Sequence, residues 1–190
     1  AKVRDNGWII HNDFYQAQQN KEHYCVAGSR QIGKSDVLVS LTMHEVAVYD
    51  NTTGILLFTS SKDQTTFTNK MKIAHDHLVD FLRVPLLDKD FNKDVLRFGY
   101  KETNNDNELH ARLYLYNTAG GHNTEVGAGT TVTFFAFDEI AKGSFRKAFN
   151  AVLPAFRGKD GFRNAAFTCF TGGNTEKSAD AEKFYMNPAS

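Results

Sequence analysis

The chain has 190 residues, of which 41% are hydrophobic and 13% aromatic, so it can bury one sizeable core and we expect a single domain. Lysine plus arginine equals aspartate plus glutamate at 22 each, which excludes a global basic field for nucleic acid and makes any polyanion site local. No apolar stretch approaches the ~20 residues of a membrane span and no signal-peptide pattern is present, so we expect a soluble protein.

The two cysteines and the chain ends each support one further expectation. Cys25 and Cys169 lie in apolar runs, which is typical of buried, reduced thiols, and a disulfide is the less favoured alternative. The sequence begins without a methionine and stops at Ser190 without a closing element. We therefore expect residues 1–190 to be one domain of a longer chain.

The first predicted elements are a strand, a glycine-rich loop and a helix. Residues 22–27 form a short apolar run, which is typical of a buried parallel strand. Residues 28–35 (GSRQIGKS) fit the phosphate-binding pattern of glycine, four residues and then Gly-Lys-Ser. Residues 35–49 carry apolar side chains at helical spacing, at Val37, Leu38, Leu41 and Val48. This order of elements is the one that a P-loop requires.

Strands and helices continue to alternate after this unit. Residues 54–59 are a second predicted strand, and Ser61 with Gln64 forms a capping box that begins the next helix. His75 and His77 lie off the apolar stripe of that helix and are predicted to be solvated. The stripe itself consists of Phe67, Met71, Ala74, Leu78 and Phe81.

A hairpin and a glycine-rich loop are predicted next. Residues 94–100 and 108–116 flank a polar turn, which indicates a β-hairpin inserted into the α/β order. Residues 118–129 contain four glycines and predict a mobile loop, with a phosphate or DNA contact as the minor alternative. One face of the hairpin is predicted to carry Leu109, Ala111, Leu113 and Leu115.

Two adjacent acids follow the most apolar predicted strand. Residues 131–140 (TVTFFAFDEI) predict a strand buried on both faces that ends at Asp138 and Glu139, the edge at which ligands bind in open α/β sheets. Alternatively, these acids only cap a helix predicted over residues 144–156. The upstream P-loop favours the first interpretation, because an NTPase needs such a strand to hold Mg²⁺.

Polar residues near two other strands are candidate nucleotide contacts. A strand predicted over residues 165–170 ends in Thr171, Gly172, Gly173 and Asn174, which could contact a γ-phosphate or form a turn with a helix cap. Tyr15 and Gln16 precede the first strand. A tyrosine ring can stack on adenine, and a glutamine amide can pair with both a donor and an acceptor of its edge.

Together, these motifs resemble the ATPase domain of the large terminase subunit, the DNA-packaging motor of tailed bacteriophages. Order and approximate spacing match over residues 14–175. The coupling motif departs from the commoner Ser/Thr-Thr-Pro form, and no nuclease domain is present, so DNA cleavage is not expected from residues 1–190. The matching segments are Tyr15-Gln16 (adenine motif), Ser29-Arg30-Gln31-Ile32-Gly33-Lys34-Ser35 (Arg-containing Walker A), residues 134–139 (Walker B) and residues 170–174 (coupling motif).

The resemblance implies an α/β fold of the RecA-like (ASCE) P-loop class, with a mostly parallel sheet flanked by helices, and Mg²⁺-dependent ATP hydrolysis. Lys34 would neutralise phosphate charge, Ser35 and Asp138 would hold Mg²⁺, Glu139 would be the general base, and Arg30 would contact the γ-phosphate. Coupling would use Thr171, Gly172, Gly173 and Asn174. ATP would be bound by Tyr15, Gln16, Gly28, Ser29, Arg30, Gln31, Ile32, Gly33, Lys34 and Ser35.

The resemblance also implies the partners, which are double-stranded DNA, a portal protein and a small terminase subunit. A homo-oligomeric ring would form on the procapsid in the cytoplasm of the infected bacterium, from a chain that is monomeric in isolation and has no membrane partner. A neighbouring subunit would supply a further arginine, for which Arg112, Arg146, Arg157 and Arg163 are candidates.

Two other functions are compatible with a P-loop. One is a helicase-like DNA translocase, but the acid pair continues as Ile140-Ala141, where helicases commonly have Ala-Asp or Ala-His. The other is a non-hydrolysing, nucleotide-gated assembly protein. Glu139 argues against this second function, because a pure switch needs no general base.

Overall fold

The computed structural model describes residues 5–20, 22–29, 32–87, 94–101, 107–118, 131–140, 145–156, 165–171, 182–183 and 185–186. Within this part of the chain, helices flank a six-stranded, mostly parallel sheet. None of the described helices is long and apolar enough to cross a membrane. The elements are α1 (Asp5–Asn20), β1 (Tyr24–Gly28), α2 (Lys34–Val48), β2 (Thr52–Phe58), α3 (Ser61–Asp76), a 3-10 turn (Asp80–Leu82), β3 (Val95–Lys101), β4 (Asn107–Asn117), β5 (Phe134–Asp138), α4 (Phe145–Phe156) and β6 (Ala166–Thr171).

The strand order in the sheet is β1-β6-β5-β2-β4-β3. All neighbouring pairs are parallel except β3 with β4, which is the predicted hairpin. This hairpin extends the main sheet, because β4 pairs with β2 in parallel along its length. Leu109 of the predicted face is 36% exposed and lies opposite Gly99, which has no side chain to cover it. The other three residues of that face are buried.

The two faces of the sheet carry separate apolar clusters. Phe134 and Ala136 of β5 join a cluster with apolar residues of α1, α2 and α3. Phe135 and Phe137 join the opposite cluster with residues of α4. Every residue of β5 is therefore buried, which confirms the prediction of a strand covered on both faces.

The prediction of a fully buried first strand is wrong. β1 lies at an edge of the described sheet and pairs there with β6, so that Val26 is its one buried residue. Phe14 of α1 packs against Tyr24 and covers one face of the strand. The sequence also misplaced Val48, the last residue of α2. Its helical spacing predicted burial, but its side chain is 51% exposed. A short apolar run does not reveal whether a strand is central or at an edge.

Three predictions about α3 are also wrong. Ser60, not Ser61, caps the helix, because Ser60 Oγ accepts a hydrogen bond from the Asp63 N–H. The helix ends at Asp76, so the regular spacing no longer applies to Phe81, which is 85% exposed. His75 is buried, and its Nε2 lies 2.9 Å from the Val84 carbonyl oxygen, whereas His77 is exposed as predicted.

Replacing Ser60 with alanine is expected to lower the free energy of unfolding by ~1 kcal/mol, because it removes the acceptor for an N–H group of the first helical turn. Urea denaturation of the 190-residue chain measures this loss. Ser61→Ala is the matched control, and it should change stability by less than about 0.5 kcal/mol. Equal losses at both positions would contradict the cap at Ser60.

Candidate nucleotide-binding site

The glycine-rich loop connects the end of β1 to the start of α2. Gly28 lies close to the Ile32 side chain, which would have to shift to admit a Cβ that would otherwise lie 2.3 Å from Ile32 Cδ1. Gly33 is the N-cap of α2 with φ 87°, a left-handed conformation that favours glycine. Its carbonyl oxygen accepts hydrogen bonds from the Asp36 and Val37 N–H groups. The described loop residues therefore place a helix N-terminus at the carboxyl edge of the sheet, which suits phosphate.

Lys34 is the first residue of α2 and is only 6% exposed. Its Nζ donates hydrogen bonds to the carbonyl oxygens of Gly28 at 3.1 Å and Ser29 at 3.0 Å. It also donates to Thr171 Oγ1 at 3.3 Å, which joins the loop to the end of β6. The ammonium is thus held in the mouth of the loop by three oxygen acceptors.

Asp138 receives a donor on each of its carboxylate oxygens. Ser35 Oγ donates to Oδ2 at 3.1 Å, and Cys169 Sγ donates to Oδ1 at 3.0 Å. Burial raises the pKa of this carboxyl, although the hydrogen bonds from Cys169 and Ser35 act in the opposite direction. The structure therefore brings together Ser35 and Asp138, the two residues predicted to hold Mg²⁺.

Glu139 directly follows β5 and has a left-handed backbone with φ 61°. Such a conformation costs ~1–3 kcal/mol at a residue other than glycine and is concentrated at functional sites. Thr171 holds the side chain, because its hydroxyl donates to Oε1 at 2.5 Å and its N–H donates to Oε2 at 3.2 Å. Since the same hydroxyl accepts from Lys34, Thr171 links the P-loop lysine to the carboxylate of Glu139.

Tyr15 and Gln16 lie in α1, the helix that precedes the first strand. Tyr15 lines a groove of about 310 Å³ beside His44 and Glu45 of α2. His44 is ten residues beyond Lys34 in α2, about 15 Å along the axis at a rise of about 1.5 Å per residue. Gln16 is exposed. Their role as an adenine motif stays a prediction.

A larger cavity lies directly against the P-loop. It has a volume of about 600 Å³ and is lined by residues of α1, α2 and α3. Ile32 and Gly33 of the loop line it together with His11 of α1 and Ile73 of α3. Sequence reasoning missed His11, since nothing in its local pattern distinguishes it from a surface histidine.

The remaining predicted site residues fall into two groups. Arg30, Gln31, Gly172, Gly173 and Asn174 lie outside the described residues, as do Arg157 and Arg163 among the candidate trans-acting arginines. Arg112 donates a hydrogen bond to the Tyr114 hydroxyl, and Arg146 is exposed on α4.

Among the described residues, no three or more histidine, cysteine or acidic side chains are grouped to hold a metal ion. This finding is compatible with Mg²⁺, which takes few carboxylates and completes its shell with phosphate and water oxygens.

No protein-family model and no curated protein sequence matches this chain. Solved structures do match it. The large terminase of a thermophilic bacteriophage superposes with a TM-score of 0.67 and 14% identity, over 98% of this chain and 44% of that one. The HK97 bacteriophage large terminase gives 0.63 and 10%, over 96% and 38%. The large terminase ATPase domain of Thermus phage P74-26 gives 0.52 and 14%, over 98% and 92%.

The matched terminases differ in length and in bound nucleotide. The chain spans less than half the length of the first two of these terminases, but nearly all of the P74-26 ATPase domain. The terminase of the thermophilic bacteriophage has also been solved in complex with ADP and with ATP-γ-S. At 10–14% identity the likeness concerns the fold. As the sequence motifs predicted, this chain has the RecA-like α/β fold of a large terminase ATPase domain.

Proposed function

We propose that this chain is the ATP-hydrolysing motor domain of a viral DNA-packaging terminase. The observation that carries the proposal is the meeting of the P-loop and the acid pair at one edge of the sheet. Lys34, Ser35, Asp138, Glu139 and Thr171 are joined there by hydrogen bonds. They come from separate segments of the chain, and the fold around them is that of terminase ATPase domains.

The side chains at this edge fit a nucleotide with Mg²⁺. Lys34 presents an ammonium at the helix N-terminus, where it would exchange its bonds to the Gly28 and Ser29 carbonyls for bonds to phosphate oxygens. The Ser35 hydroxyl and the Asp138 carboxylate, already in contact, would hold the metal. Bound Mg²⁺ would neutralise charge on the phosphate oxygens as the terminal bond breaks.

Glu139 is the proposed general base, which accepts the proton of the attacking water. A carboxylate suits this role because it is an acceptor on both oxygens when ionised. In the structure Thr171 donates to both of them, so the orientation of Glu139 depends on the end of β6. The same threonine contacts Lys34, and it is therefore placed to respond when the phosphates are bound or released.

The partners of this activity belong to the proposal. The substrate polymer is double-stranded DNA, and the chain acts in a homo-oligomeric ring with a portal protein and a small terminase subunit at the procapsid. The location is the cytoplasm of the infected bacterium. We expect the isolated chain to be mainly monomeric. It should hydrolyse ATP slowly, because the further arginine of a neighbouring subunit is then absent.

Steady-state phosphate release tests the proposal, on the 190-residue chain and on the full-length protein, each with and without double-stranded DNA. We expect slow Mg²⁺-dependent hydrolysis by the chain and faster, DNA-stimulated hydrolysis by the full-length protein. Single-stranded DNA of equal nucleotide content is the control that separates a packaging motor from a helicase-like translocase. Nucleotide binding without hydrolysis in either form would overturn the proposal and favour a nucleotide-gated assembly protein.

Arg30 gives a prediction that rests on the sequence, since it lies outside the described residues. Replacing it with alanine should weaken binding of a non-hydrolysable ATP analogue by ~10- to 100-fold, the loss of one charge-assisted hydrogen bond of ~1.5–3 kcal/mol, and should leave ADP binding nearly unchanged. Arg30→Lys should restore affinity only partly, because it keeps the charge and loses the planar fork. Calorimetric titration measures both affinities. Equal losses for both nucleotides would rule out a γ-phosphate contact.

The alternative for Arg30 is a surface ion pair with Asp36. In the structure Asp36 Oδ1 is already 2.6 Å from Lys70 Nζ, so this carboxylate has a cation beside it. Exposed ion pairs of this kind contribute only ~0–1 kcal/mol to stability. If Arg30→Ala changed neither nucleotide affinity nor turnover, a surface role would be the remaining explanation.

A further inference from the structure

We propose that Cys169 is a positioning residue for Mg²⁺: its thiol fixes the orientation of the Asp138 carboxylate so that the other oxygen faces Ser35. This inference rests on the proposed function, because it assigns Asp138 to the metal. The contact that carries it is the hydrogen bond of 3.0 Å from Cys169 Sγ to Asp138 Oδ1. With Oδ1 engaged, Oδ2 is the oxygen that lies 3.1 Å from the Ser35 hydroxyl.

The sheet places the Cys169 thiol beside the Asp138 carboxylate. Asp138 ends β5, and Cys169 is its register partner on β6, so the two side chains leave the sheet on the same face. Cys169 is fully buried, and its Sγ–H is the donor that reaches Asp138 Oδ1. The pairing of β5 with β6 in this register holds the two residues side by side.

The thiol has a role that an apolar residue of similar size would not fill. A buried carboxylate oxygen without a donor carries a large desolvation cost. If Cys169 were replaced by alanine, Oδ1 would lose this donor, and the carboxylate would be free to rotate towards other donors. That rotation removes a correctly directed oxygen from the metal position. Groups that orient a metal ligand typically change metal affinity or activity by ~10- to 100-fold when they are removed.

The experiment compares ADP affinity with Mg²⁺ and with a chelator present, by calorimetry on the 190-residue chain. We define the magnesium gain as the ratio of the two affinities. For Cys169→Ala we expect the magnesium gain to fall by ~10-fold or more while affinity in chelator stays near the parental value. Cys169→Ser keeps a donor with a shorter reach, so its magnesium gain should lie between those of the alanine variant and the parent.

Cys25→Ala is the matched control. Cys25 is half-buried on β1, packs against the cluster on the opposite face of the sheet, and hydrogen-bonds Thr168. Its removal should leave the magnesium gain unchanged. A thermal melt without nucleotide checks that each variant folds, and if Cys169→Ala does not fold, Cys169→Val fills the space without a donor and is expected to show the same selective loss.

The possible outcomes distinguish failure of the positioning role of Cys169 from failure of the proposed function. A parental magnesium gain in folded Cys169→Ala or Cys169→Val would overturn the positioning role and leave the proposed function standing. Equal losses with Mg²⁺ and with chelator would also overturn it, because they indicate a general structural role. No magnesium gain in the parental chain would overturn the metal assignment itself, and the inference with it.

Discussion

Replacing Glu139 with glutamine is expected to lower ATP turnover by ~10²–10⁴-fold, or roughly 3–5 kcal/mol of barrier, while Mg-ATP binding stays largely intact. Glutamine has nearly the size of glutamate but cannot accept the proton of the attacking water. Single-turnover phosphate release by the 190-residue chain measures the rate, and calorimetry measures binding. Turnover at the parental rate would show that Glu139 is not the base.

Two companion variants make the Glu139 result specific. Asp138→Asn should weaken Mg²⁺-dependent binding, because Asp138 contacts Ser35 at the metal position, whereas Glu139 is held by Thr171. Asp50→Asn removes a carboxylate that pairs with His110, and it should leave turnover unchanged. If Asp138→Asn and Glu139→Gln lost turnover alone, with binding equal to the parent, the division of roles between the two acids would be wrong.

Replacing Lys34 with alanine is expected to reduce nucleotide affinity by about 100-fold or more, since each charge-assisted hydrogen bond to phosphate contributes ~1.5–3 kcal/mol and Lys34 has at least two to give. The buried ammonium also satisfies the Gly28 and Ser29 carbonyls, so the empty loop should lose order as well. Titration with ADP and with an ATP analogue measures the loss. It should appear with both nucleotides, in contrast to the loss expected at Arg30.

Lys72→Ala is the control for Lys34→Ala, because it removes the same charge from an exposed position on α3. Its nucleotide affinity should equal that of the parent. A thermal melt of the nucleotide-free variants separates loss of binding from loss of folding. If folded Lys34→Ala kept the nucleotide affinity of the parent, the P-loop would not be part of the nucleotide site, and the proposed function would be overturned.

The sequence predicted those parts of the site that are encoded in contiguous residues. The P-loop pattern places Gly33, Lys34 and Ser35 without reference to other segments, because the loop conformation and the helix start are local. The apolar run before Asp138 predicted a central strand correctly. A similar apolar run before Gly28 led to the wrong prediction of a buried strand. β1 lies at an edge, and the position of a strand in its sheet depends on pairing with distant segments.

The missed features depend on contacts that the local sequence pattern does not encode. Cys169 was predicted to be a buried thiol, and nothing in its neighbourhood indicated that it would meet Asp138, 31 residues away. His75 was predicted to be solvated because its bond to Val84 follows from the way the chain turns after α3. Thr171 was a candidate coupling residue, and its simultaneous contacts with Lys34 and Glu139 emerged only when β6 was placed between β1 and β5.

Cys169 and Thr171 are two residues apart on β6, and each contacts one member of the acid pair. Because side chains alternate between the faces of a strand, a shift of β6 by a single residue would turn both of them towards α4. One inserted or deleted residue within β6 would therefore disconnect Asp138 and Glu139 at once, although every chemical group of the site remained in the chain. An odd change in the length of this strand should be as damaging to hydrolysis as the loss of a catalytic side chain, whereas an apolar substitution that conserves volume on its α4-facing side should be tolerated.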